Sequence, residues 1–98
     1  MKIPKETPLA GQTIKTEWDE NLVAADEYTG VSLFRENKII LQPDTKGFPR
    51  LREQIEKTYC HELTHWILHT MQENELERNE KFVDVFATFL HQAIKDNM

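Results

Sequence analysis

The segment His61-Glu62-Leu63-Thr64-His65 has the residue types and the spacing to hold a metal ion and to use it. On a helix, positions i and i+4 lie about one turn apart on one face, so both imidazoles can converge on a single cation. Zinc suits such a pair because it binds imidazole nitrogen readily. Glu62 is rotated by about 100° from His61, which sets its carboxylate beside the ion. From there it can take a proton from a water whose pKa zinc has lowered to about 7, as that water attacks a carbonyl. Shuffling this composition produces the pattern by chance roughly 2 % of the time, so its surroundings must carry part of the argument.

A catalytic zinc takes a third protein ligand and leaves its fourth position open. Cys60 is the only cysteine, so the remaining ligand must be His, Asp or Glu. His69 continues the i+4 series but lies about 12 Å along the axis from His61, too far for both to share one ion. Acidic candidates follow in the next helical segment. Glu80 and Asp84 stand one turn apart on one side, whereas the rivals Glu75 and Glu77 have no acidic residue four positions on. If the loop 72–78 turns the chain antiparallel, this segment faces the histidine pair. Asp84 then falls where it accepts the free ring N–H of a ligand imidazole.

The elements that must position these groups are legible to different degrees. Residues 1–12, with two prolines and a glycine, read as an irregular lead-in. Thr13–Trp18 alternates weakly, as a strand does, and the acidic stretch Asp19–Glu27 is either a loop or a short helix. Tyr28–Arg35 and Lys38–Gln42 are rich in β-branched and aromatic residues around the break Glu36-Asn37, which predicts a β-hairpin. Pro49 suits the first position of a helix, and the pattern runs helically to about Gln72. Leu51, Ile55, Tyr59, Leu63 and Ile67, with Trp66, give that helix its apolar face. Asn74 followed by Glu77 resembles a capping box, predicting a second helix from about Glu75 to Lys95. Phe82, Val85, Phe86, Phe89, Leu90 and Ala93 form its expected core face. Cys60, Trp18, Trp66 and the phenylalanines are expected inside, and His91 at the surface. Tyr28 and Tyr59 are the phenols able to donate to an oxyanion, though spacing favours neither.

HELTH followed by NEKFVD resembles the HExxH-plus-NExxxD pairing of the gluzincin metallopeptidases. The fuller stretch of GVSLFRENKIILQPD, HELTHWILH and EKFVDVFATFL is similar to small ImmA/IrrE-type and phage-encoded zincin domains, over about residues 28–94. This resemblance implies a minimal zincin-like α+β fold: a short antiparallel sheet with a hairpin, an active-site helix, and a second helix bearing a ligand. It implies that His61, His65 and Glu80 hold one Zn2+, that Glu62 is the general base, and that Asp84 supports a ligand imidazole. The implied activity is hydrolysis of a peptide bond in a protein or peptide substrate whose backbone adds to the hairpin.

Size and charge narrow the alternatives. Ninety-eight residues make one domain with a modest core, which leaves room for a metal to contribute stability. A non-catalytic, metal-stabilised interaction or regulatory module is therefore a second reading. The net charge of −5 argues against a phosphate-binding surface, so direct nucleic-acid binding is not expected. No apolar run approaches the roughly 20 residues that cross a bilayer, and no signal-peptide pattern opens the chain. The expectation is a cytoplasmic protein without a membrane partner.

Overall fold

The computed structural model describes residues 1–96. The stretch expected to be an irregular lead-in contains a strand, β1 (Glu6–Leu9), which turns straight back into β2 (Gln12–Trp18). Pro8 offers no N–H to a ladder, but β1 lies at the edge of the sheet, where one side of the strand needs no partner. The reversal is made by Ala10 and Gly11, whose φ values of 50° and 79° follow the twist of a tight hairpin. The acidic stretch that follows holds a short helix, α1 (Leu22–Asp26).

The expected hairpin is present as β3 (Gly30–Leu33) and β4 (Lys38–Leu41), paired antiparallel. Its connection is a 3-10 turn over Phe34–Glu36, closed by Asn37 at φ 52°. That turn takes Phe34 out of the strand and lays it edge-on against Trp66, 4.9 Å between ring centres. The sheet order is β1-β2-β4-β3, and β2 runs parallel to β4 with Thr16 opposite Ile39 and Trp18 opposite Leu41. The sheet is therefore mixed, not wholly antiparallel as expected. Burial explains the arrangement: β4 carries the chain's most apolar strand, and Ile39 and Leu41 are fully buried only because it is central. Inserting β4 against β2 leaves β3 at the second edge.

Helix α2 (Arg52–Thr70) starts three residues later than Pro49 suggests. Arg50 holds the approach in place, its amide donating to Asp44 Oδ1 at 2.8 Å and its guanidinium to the Gln42 carbonyl at 2.7 Å and Thr58 Oγ1 at 2.6 Å. Leu51 stands exposed, so the buried stripe begins at Ile55. Ile55, Tyr59 and Trp66 pack with Ile14, Ile39 and Leu41 in one core, and Tyr59 is pinned to β1 by a 2.6 Å hydrogen bond with Thr7 Oγ1. Cys60 is fully buried there, and burial, followed by the nearby charge of Glu56, pushes its thiol up to about 11. It is a structural thiol.

The single second helix expected from Glu75 is two helices, the one-turn α3 (Asn74–Glu77) and α4 (Glu80–Ile94). The capping residue is Asn79, not Asn74: its side chain accepts from the Phe82 amide at 3.0 Å. Val83, Ala87 and His91 are the buried positions of α4, while Val85, Phe86 and Phe89 are 44 %, 45 % and 64 % exposed. Of the expected core face, Leu90 packs against the core and Phe82 is half-buried, while Val85, Phe86 and Phe89 point outward. Ala87, small and fully buried, lets α4 approach α2 more closely than a phenylalanine would. Trp18, likewise expected inside, is half exposed at the end of β2.

His91, expected at the surface, is buried with Nε2 2.8 Å from Glu56 Oε1. Arg52 Nε (3.2 Å) and the Met1 ammonium (3.4 Å) meet the other oxygen of Glu56. Burial alone would raise the Glu56 carboxyl, but the His91 and Met1 contacts outweigh it and hold the group below the usual carboxylate range. Among the described residues, no helix is long and apolar enough to cross a membrane.

Candidate metal centre

Two helices and one strand edge converge on the HELTH segment. His61 and His65 leave α2 one turn apart, their ring centres separated by 5.0 Å. Across from them, Glu80 opens α4, where the Asn79 cap fixes the direction of the first turn. Glu80 reaches between the rings: Oε2 lies 3.4 Å from His61 Nε2 and Oε1 lies 3.4 Å from His65 Nε2. One ligand atom from each of the three residues falls within 4.8 Å of the others. Four-coordinate zinc with bonds of about 2.0–2.1 Å has neighbouring donors about 3.3–3.4 Å apart, so the carboxylate-to-imidazole spacing already suits such an ion. The donor set of two imidazoles and one carboxylate could hold a metal ion.

The outer ring nitrogens meet carboxylates as well. His65 Nδ1 lies 3.2 Å from Glu77 Oε2, and His61 Nδ1 lies 3.7 Å from Asp84 Oδ1. The Glu77 contact, within hydrogen-bond range, favours a proton on His65 Nδ1 and leaves its Nε2 lone pair free for an ion, whereas Asp84 lies beyond that range and acts on His61 only through charge. Glu77, weighed from sequence only as a rival ligand, is thus the partner of His65. One turn of α3 brings it there, and no sequence period could have announced that. We expect Glu77→Gln and Asp84→Asn each to weaken metal affinity by about 10- to 100-fold, read as metal-binding isotherms by calorimetry. An unchanged affinity in both variants would mean that these contacts do not orient the rings.

Glu62 is only 8 % exposed and receives a 2.8 Å hydrogen bond from Ser32 Oγ on β3. Burial raises its carboxyl above the usual range, against the Ser32 hydrogen bond and the nearby imidazoles, with Glu80 adding to the rise. A carboxylate poised in this way accepts a proton more readily than an exposed one. Gly30 makes the approach of β3 possible. A Cβ there would lie 2.6 Å from Thr58 Cγ2 and 3.2 Å from Glu62 Cγ. Gly30 carried no expectation from the sequence, although a glycine inside a strand pattern is a sign of close approach and could have pointed to this wall. Gly30→Val is expected to lower the melting temperature and to displace Glu62 from Ser32, both readable by calorimetry and a crystal structure of the variant. An unmoved strand would count against the close fit.

A cleft of about 850 Å³ runs along these groups, lined by β3, the loop 48–50 and the polar face of α2. His61, Glu62, His65, Glu77, Glu80 and Asp84 all open into it. The other sequence candidates divide between the cleft and sites outside it. His69 stacks on Phe34 with ring centres 3.9 Å apart, outside the donor cluster. Tyr59 is buried against β1, which removes it as an oxyanion donor, whereas Tyr28 lines the cleft. Comparison with protein-family models, curated proteins and solved structures finds no match to this chain.

Proposed function

We propose that this chain is a zinc-dependent metallopeptidase of the gluzincin kind, with His61, His65 and Glu80 as zinc ligands and Glu62 as general base. One observation carries the reading: three donor atoms suited to one ion lie in an open cleft beside a buried, hydrogen-bonded glutamate. When bound, zinc would polarise a peptide carbonyl and acidify a water. Glu62 accepts the proton of the attacking water, then returns it to the departing amine. Ser32 holds the carboxylate in place through both transfers. Asp84 and Glu77 keep the imidazoles turned toward the ion. The free edge of β3 takes the substrate backbone as an added strand, since Gly30, Val31 and Ser32 line the cleft and the strand's other side is occupied by β4.

The test is hydrolysis of a mixed peptide library by purified protein, before and after a chelator strips the metal. Cleavage should stop on stripping and return with zinc. Cleavage that survives removal of all metal ends the proposal. A second reading, a metal-stabilised interaction module, draws on the outward stripe of Val85, Phe86 and Phe89. It is favoured if the zinc-loaded protein cleaves nothing in the library.

A further inference from the structure

The four part-buried Lys and Arg side chains among the described residues divide into two kinds. Lys38 faces Glu17 and Glu36, and Lys95 faces Glu53. The Arg50 guanidinium and the Lys57 ammonium meet no carboxylate oxygen within 4 Å among the described residues, although Asp44 bonds the Arg50 amide, and both side chains line the cleft. Glu27 stands exposed on the same rim, beyond ion-pair distance of either. In a chain of net charge −5, a half-buried lysine without an anion, beside a guanidinium bonded only to neutral oxygens, marks a place where an anion can be taken up. The other end of the cleft, at Glu77, Glu80 and Asp84, has the opposite sign.

The direction of β3 converts this polarity into a substrate orientation. Gly30 lies against Thr58 and Glu62, while Phe34, just past the strand, lies against Trp66 and His69. Strand and helix therefore run the same way. A peptide added antiparallel to β3, the better-paired direction, has its C-terminal half toward Thr58, Lys57 and Arg50. Lys57 precedes His61 by one helical turn, a rise of about 6 Å, or roughly two residues of extended peptide. We infer that Lys57, backed by Arg50, binds a substrate carboxylate about two residues beyond the scissile bond on the leaving-amine side. The substrates would then be peptides bearing an acidic residue there, or ending there in a free carboxylate. Arg50 is already bonded to Gln42 and Thr58, so Lys57 makes the contact and Arg50 adds long-range attraction.

This inference rests on the peptidase reading for its orientation, and its test separates the two. Four peptides share one core: a neutral amide, the same with Glu two residues past the intended bond, the neutral core ending there in a free carboxylate, and a Lys version. Their affinities are measured by fluorescence anisotropy on zinc-loaded Glu62→Gln protein, which leaves them intact. Either carboxylate should bind about 5- to 10-fold tighter than the neutral peptide, and the tighter of the two identifies its source. Adding Lys57→Glu should reverse the order in favour of the Lys peptide, while its melting temperature reports folding. Equal affinities for all four peptides, or the same preference retained with Lys57→Glu, would overturn the assignment. A preference that follows Lys57 while the parent protein cleaves none of the four supports the carboxylate site and removes the peptidase.

Discussion

Replacing Glu62 with Gln is expected to lower peptide hydrolysis by roughly 10²- to 10⁴-fold while the protein still binds one equivalent of zinc. The amide keeps nearly the same shape, so it occupies the site beside Ser32 and still opens into the cleft. What it lacks is a basic oxygen able to accept a proton. Metal binding is spared because Glu62 is not one of the three residues whose donor atoms cluster. Metal content by atomic emission and turnover on a cleaved library peptide provide the two readouts. Full activity in this variant would remove Glu62 as the base. Loss of zinc together with activity would assign it a ligand role instead.

His61→Ala should cost the ion itself. The remaining imidazole and carboxylate give two donors where zinc in such sites takes three from the protein. Metal saturation at a thousandfold excess over Kd stabilises a folded site by about 4 kcal/mol. In a domain of this size that corresponds to an upward shift in melting temperature on the order of 20 °C. The parent protein should show such a shift on zinc addition, and His61→Ala should show almost none. His69→Ala is the matched control, because His69 stacks on Phe34 outside the cluster and should leave the zinc response intact. A full zinc response in His61→Ala would relocate the site.

Local patterns carried the α+β class, the hairpin and the histidine pair. A 3.6-residue period and an i, i+4 spacing act within one element, so they survive whatever the element packs against. The same locality explains the failures. Pro4 and Pro8 argued against a strand in residues 1–12, but whether a proline is tolerated depends on whether its strand is an edge, which other strands decide. The apolar pattern of α4 was real, yet the helix carries more apolar surface than one contact can cover. Ala87 and Val83, not the phenylalanines, meet its neighbours because small side chains allow close approach.

By itself, then, the sequence determined which residues have the chemistry to hold an ion: His61 and His65 at one-turn spacing, a glutamate between them, and acids on a helical segment to follow. Only the tertiary structure decided which of those acids reaches the pair. The break at Arg78-Asn79 restarts the helix at Glu80 and sets its carboxylate 3.4 Å from both Nε2 atoms, while α3 delivers Glu77 to His65. The mixed sheet likewise placed β3 at the edge beside Glu62. Distances between elements depend on how every side chain in the core packs, and no spacing along one chain encodes that.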